Sequence, residues 1–393
     1  MEFAHRTQNL DSTFMDEILK AGANPDLISL AGGLPNPEVF PVEAIKAAAD
    51  KVLDTDGQNA LQYNITEGYR PLREYIAKRY YSNHPEVSED NILITSGSSQ
   101  GIDMTARLFL NPGDGLIIER PGYLGAIQTF HMSEPTYYQV PVGTDGVDVD
   151  AVKAVFASVP VEPKLFYGVP NFQNPGGSTY SRETREELAA VLKQHGTVFM
   201  EDNPYGELRF DGEQLPSMMD YLGFQCISLG SFSKTLAPAI RMGWVCASPE
   251  IIKGLIAIKG GTDMHSNYLV QRILYQFLMD NDFSDHIQHT VDMYRDKCQL
   301  MLDTLDRTVP ADADISWTIP EGGMFTWMTL PDGMKSMDLL EAVRERGMYF
   351  IPGIPFYVTD PAENTLRLNF SNQSDENIVK GIEILGEAIS GLI

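Results

Sequence analysis

The chain has 393 residues, 43% of them hydrophobic and 21% charged, which suits a globular protein of two or three domains and excludes a disordered or collagen-like one. Lys plus Arg number 29 against 54 Asp plus Glu, so the net charge of −25 argues against nucleic acid and anionic membranes as partners, though a local basic pocket could still hold a small anion. Three cysteines without a CxxC argue against a disulfide framework or a zinc ribbon. No apolar run reaches the roughly 18 residues of a membrane span. The opening MEFAHRTQNLDSTF lacks the apolar centre of a signal peptide, so a reduced cytoplasm is the expected compartment.

In chain order, short apolar runs rich in β-branched residues predict strands at 92–95, 115–119, 164–169, 197–201, 226–229 and 243–247. Most run into Gly, Pro or Ser and then a helical pattern. The helix expected at about 182–195 has Ser181 as its N-cap, Glu183 in its first turn and Gly196 just past its end. Buried strands separated by helices argue for βαβ units and a mostly parallel sheet. Ligands of such sheets gather at the carboxyl ends of the strands, so the residues just after each strand are where chemistry is expected. From 270 to 307 the pattern reads as one long helical region. Strand-like pieces follow at 315–319, 323–329, 348–351 and 365–369, then a terminal helix from Asp375. This tail predicts a smaller α+β domain.

Five segments carry chemistry. In SLGSFSKTLAPAIRMGW (228–244) a strand ends in a turn holding Ser231, Ser233 and Lys234, with Arg241 seven residues on. A lysine in such a tight turn is poorly solvated, which lowers its pKa and makes it nucleophilic toward aldehydes. The hydroxyls and Arg241 suit a phosphate. An incidental lysine on a surface turn is the alternative. In TVFMEDNPYG (197–206), Asp202 ends an apolar strand and needs a cationic partner or several donors. A protonated cofactor ring nitrogen would serve, or the carboxylate caps a helix; Tyr205 lies on the same rim. In TSGSSQGID (95–103), free N–H groups at a helix start, beside Ser98, Ser99 and Gln100, suit a phosphate but do not form a P-loop. In PNFQNPGG (170–177), Asn174 could donate to a phenolate oxygen, although the motif also reads as a plain turn. In ERPGYLG (119–125), Tyr123 could stack on a planar ring or simply fill core.

The ordered set EGYRPLR, SGSSQG, RPGY, NFQNPGG, EDNPYGEL, SFSKTLAP…R and LRLNF, from about Ile28 to the C-terminus, resembles the fold-type I aminotransferases dependent on pyridoxal phosphate. The likeness is strongest to the branch of 2-aminoadipate and kynurenine aminotransferases and the effector domains of MocR-type regulators. The resemblance implies an α/β fold: a large domain (34–280) with a mostly parallel seven-stranded sheet flanked by helices, a smaller α+β C-terminal domain (281–393), and an N-terminal arm (1–33) packing on the small domain. It implies Lys234 as the lysine that bonds the cofactor aldehyde and then shuttles the proton. Asp202 takes the pyridinium nitrogen, Asn174 and Tyr205 the ring hydroxyl, and Tyr123 the ring face. Ser98, Ser99, Gln100, Ser231, Ser233 and Arg241 form the phosphate cup. Tyr63 reaches the cofactor of the neighbouring subunit in a homodimer, Arg367 clamps the substrate α-carboxylate, and Gly33 lines the substrate pocket.

Three departures stand out: NPGG where NPTG is usual, Arg70 in GYRPLR, and Asp16 and Glu17 on a first helix where relatives that take acidic side chains can carry arginine. Aromatic or large neutral donors are therefore expected, with 2-oxoglutarate as the acceptor. A lyase or decarboxylase on the same scaffold and an amino-acid-sensing module remain alternatives; the strong acidity argues against the DNA-linked sensor. His286, His289 and Asp285 lack a third ligand cluster and read as helix surface.

Overall fold

The computed structural model describes residues 3–7, 20, 24 and 26–393. The first-helix residues Asp16 and Glu17, and most of the 1–33 arm, lie outside the described residues. In chain order the strands are β1 (Ile28–Ser29), β2 (Ile92–Thr95), β3 (Gly115–Arg120), β4 (Thr136–Gly143), β5 (Gly146–Val147), β6 (Pro163–Gly168), β7 (Val198–Asp202), β8 (Cys226–Ser231), β9 (Gly243–Cys246), β10 (Ser316–Trp317), β11 (Phe325–Thr329), β12 (Met348–Tyr349), β13 (Ile351–Pro352) and β14 (Thr365–Asn369).

The large sheet runs β2-β9-β8-β7-β6-β3-β4-β5. Neighbours from β8 through β4 pair in parallel, whereas β9 is antiparallel to both β8 and β2. Every residue of β2, β7 from Phe199 onward, β8 and β9 is buried, as expected for strands covered by helices on both faces. The expected seven strands are present, and the two-residue β5 adds an eighth at the edge through a hairpin with β4. Sequence patterning did not single out β4. Its residues TYYQVPVG are mostly half-buried or exposed, so it lacks the apolar run that marks the central strands.

The small sheet, β10-β11-β14-β13, is antiparallel. The single strand expected at 348–351 is in fact two: β12 pairs with β1, and β13 pairs with β14. The long helical region also divides, into Tyr268–Asp280 and Phe283–Thr308, because Asp282 accepts hydrogen bonds from Ser284 N at 2.9 Å and Asp285 N at 3.1 Å and so starts a new helix. The helix Arg182–His195 has its Ser181 side chain capping Thr184 N and Gly196 in the left-handed region at φ 69°. His286, read as helix surface, is half-buried, with its ring stacked on Phe283 at 6.0 Å between centroids.

Candidate active site

Strands β2, β3, β6, β7 and β8 all deliver their carboxyl ends to one side of the sheet, and a cleft of about 220 Å³ opens there. It is lined by Ser98, Ser99, Tyr123, Asn174, Asp202, Tyr205, Ser231, Ser233, Lys234, Arg241, Gly33 and Arg367. Twelve of the fourteen residues singled out by sequence thus share one cavity, although they are spread over more than three hundred positions of the chain.

Asp202 is the last residue of β7 and is 2% exposed. Its Oδ2 accepts from the Tyr167 hydroxyl at 2.7 Å, while its Oδ1 is buried and has no partner. Burial pushes the carboxyl up to about 6 against the pull of Tyr167 and Lys234. A buried acceptor without a donor is costly unless something supplies one, and a protonated heteroaromatic nitrogen would do so. Lys234, three residues past β8, donates from Nζ to the Gly33 carbonyl at 2.6 Å. Burial first, then the charges of Arg367 and Arg241, bring its amine down to about 8, which raises its neutral, nucleophilic fraction near neutral pH.

The other end of the cleft is basic and rich in donors. Gly97, at φ 81°, caps the helix Ser98–Phe109, and a Cβ there would lie 2.3 Å from Arg241 Nη2. The missing side chain lets the guanidinium close over the helix start, where free N–H groups favour an anion. Arg241 donates from Nη2 to Ser96 O at 3.0 Å and from Nη1 to Ser233 Oγ at 3.4 Å.

Arg367 in β14 is 4% exposed. It donates from Nη1 to Asn174 Oδ1 at 2.6 Å and from Nη2 to the Ala31 carbonyl. Its guanidinium lies 4.2 Å from the Phe325 ring centroid and 5.1 Å from that of Phe356. Burial lowers it to about 10, and its Nε is buried without a partner. Tyr205 hydrogen-bonds Asn174 and packs edge-on against Phe325 at 5.8 Å; burial raises its hydroxyl well above the ordinary range. Burial also raises Tyr123.

Two expected residues stand elsewhere. The Gln100 side chain turns away from the cleft, with its Oε1 accepting from Ser96 N at 2.8 Å and its Nε2 donating to Asp263 at 2.8 Å. Tyr63 is 77% exposed and touches His265 edge-on at 5.8 Å. Sequence reasoning passed over Tyr167 and the small-domain side chains Ile351 and Phe356, which the cleft also involves. The available signal for Tyr167 was a hydroxyl inside an otherwise apolar buried strand, which must find an acceptor.

The site fits a cofactor with a carbonyl at Lys234, a protonated ring nitrogen at Asp202 and a phosphate at the Gly97–Arg241 end. A model of the aminotransferase class I and II family matches residues 25–385, and the chain belongs to that family. It is a pyridoxal-phosphate-dependent aminotransferase. It is similar to the aromatic-amino-acid aminotransferase 1 of Thermococcus litoralis, 37% identical over 98% of this chain and 94% of that one. An α-aminoadipate aminotransferase of Thermus thermophilus, solved with N-(5'-phosphopyridoxyl)-L-leucine, superposes with a TM-score of 0.92 at 37% identity, covering 99% and 97% of the two chains. The kynurenine aminotransferase of Pyrococcus horikoshii, solved with PMP, gives 0.93 at 36% identity, covering 100% and 97%.

Proposed function

We propose that the enzyme takes aromatic or large neutral L-amino acids and passes the amine to a 2-oxo acid such as 2-oxoglutarate in a ping-pong cycle; an acidic, 2-aminoadipate-like donor is the alternative. The observation that carries this is the wall beside Arg367. Leu34, Phe325, Ile351 and Phe356 make the donor side of the cleft apolar, and the lining cations Lys234, Arg241 and Arg367 each have a task in cofactor or α-carboxylate recognition. The relatives' own names, an aromatic-amino-acid and a kynurenine aminotransferase and a bound leucine adduct, agree with that side-chain class.

When bound, pyridoxal phosphate supplies a reactive carbonyl and a protonated ring that draws electron density from the substrate Cα. The residues do the rest. Asp202 Oδ1 accepts from the ring N–H and keeps that proton in place, while Tyr167 holds the other oxygen. Asn174 and Tyr205 donate to the ring hydroxyl, and Tyr123 covers a ring face. Ser98, Ser99, Ser231, Ser233 and Arg241 take the phosphate. Arg367 grips the α-carboxylate and so fixes which Cα bond stands perpendicular to the ring. Lys234 Nζ would serve as the base that takes the substrate Cα proton and hands it to the cofactor's carbonyl carbon, on the other side of the nitrogen.

The unit is a homodimer in which the exposed Tyr63 reaches the neighbouring site. Residues 281–393 form the smaller body against the 34–280 domain, and Ile28–Ser29 of the preceding segment join it through the pairing of β1 with β12. Three buried free cysteines support a reducing cytoplasm, and no helix among the described residues is long and apolar enough to cross a membrane.

A donor screen with 2-oxoglutarate as acceptor tests this reading. Aromatic and large neutral donors are expected to exceed aspartate and glutamate in kcat/KM. Arg367→Ala is expected to weaken every α-amino acid by a similar factor, about a hundredfold for a lost buried bidentate contact. Ammonia or carbon dioxide release without amine transfer, or a loss confined to one donor, would overturn it.

A further inference from the structure

Lys259, in the last turn of the helix Pro249–Gly260, is fully buried. A lysine hidden from water needs its three protons taken up, and this one is satisfied completely. Nζ donates to Asp263 Oδ1 and Oδ2 at 2.8 and 2.9 Å, to Ser266 Oγ at 2.9 Å and to Gln100 Oε1 at 3.1 Å. None of these partners lies in the cleft, yet every path from them leads to one turn. Gln100 Oε1 also accepts from Ser96 N at 2.8 Å. Ser266 Oγ meets Ser96 Oγ and the Ile94 carbonyl, both at 3.4 Å. The Ser96 carbonyl is taken by Arg241 at 3.0 Å. Ser96, the residue just before Gly97, is thus held at its N–H by Lys259 through Gln100 and at its C=O by Arg241. The same cluster ties down residues 260–266, which carry His265 against Tyr63.

We propose that Lys259 is a positioning residue for phosphate binding: through Gln100 and Ser266 its ammonium sets the Ser96–Ser99 turn that receives the cofactor phosphate. The inference rests on the phosphate assignment made under the proposed function. It also explains why the Gln100 side chain faces away from the cleft. Its part in the site is to brace the turn, while the backbone and the two serines face the anion.

The test compares the affinity of the cofactor-stripped enzyme for pyridoxal 5'-phosphate and for pyridoxal, which lacks the phosphate. Lys259→Met is expected to weaken the phosphorylated form by about tenfold or more, the scale of a lost charge-assisted hydrogen bond, and to leave pyridoxal within about twofold. Lys259→Arg, which keeps the charge, is expected to recover part of the loss. Gln100→Ala cuts the same path without removing a charge and is expected to show the same selectivity, so an unfolded Lys259→Met does not end the test. Ser98→Ala serves as the reference for the phosphate assignment. If Ser98→Ala is phosphate-selective while Lys259→Met and Gln100→Ala lose both ligands equally or lose nothing, the positioning role is overturned and the phosphate site stands. If Ser98→Ala is itself unselective, the phosphate assignment fails and the proposal goes with it.

Discussion

The two oxygens of Asp202 face different surroundings, and that asymmetry organises the site. Tyr167 satisfies Oδ2, and Oδ1 waits for a donor. The consequence for the cofactor-free protein has a definite sign. A carboxyl raised from about 3.8 to about 6 binds its proton more tightly folded than unfolded, so it costs stability as pH rises from about 4 to 6, and the full cost remains above that. Asp202→Asn removes the charge and keeps the shape. It is expected to stabilise the cofactor-free protein by on the order of 2–3 kcal/mol at pH 7.5, with the gain shrinking toward zero near pH 4. Denaturant unfolding of both proteins at the two pH values measures it; equal stability throughout would contradict the burial argument. In the loaded enzyme the same change is expected to lower turnover by orders of magnitude. At this scale the sequence was most informative where a polar residue interrupts an apolar run at a strand end, as with Asp202 and Lys234. It was silent where the polar atom sits inside the strand, as with Tyr167. For Gln100 it located the residue at the helix start but gave no direction for its side chain, because composition and spacing do not report rotamers.

Among the elements, the short turns do more to position the site than the helices they join. Gly97 permits the left-handed turn and the close approach of Arg241 together. Gly97→Ala is expected to cost about 1–2 kcal/mol of backbone strain and to push Arg241 out of place, lowering cofactor affinity by tenfold or more. Fluorescence titration of the cofactor with wild type and variant checks this; unchanged affinity would show that Arg241 does not depend on that gap. The central strands were legible because parallel strands buried on both faces read as apolar runs. β4 was not, since it lies beside the sheet edge with half-exposed residues. The break between Asp280 and Phe283 was hidden because the apolar period runs on through it, and only the capping of Asp282 marks the new start.

Across the whole molecule, the cleft takes side chains from the large sheet and from the small one, so catalysis depends on how the two sit together. Arg367 of β14 reaches Asn174 beyond β6, and the Lys234 amine reaches back to Gly33. The exposed Leu61, Tyr63, Ile65 and Met264 form an apolar fringe around the Tyr63 region, consistent with the proposed dimer. Mixing inactive Lys234→Ala subunits with Tyr63→Ala subunits is expected to restore activity, because each mixed dimer holds one site with its own lysine and its partner's tyrosine. No recovery on exchange would argue that Tyr63 acts within its own subunit or not at all.

The central claim is that the amine of Lys234 bonds the carbonyl of pyridoxal phosphate while Asp202 holds the ring nitrogen. Borohydride reduction of the loaded enzyme, followed by peptide mass mapping, tests it most directly. The expected result is a phosphopyridoxyl group on Lys234 and on no other lysine, lost in Lys234→Ala. A stable adduct elsewhere, or none on wild type, would contradict the account.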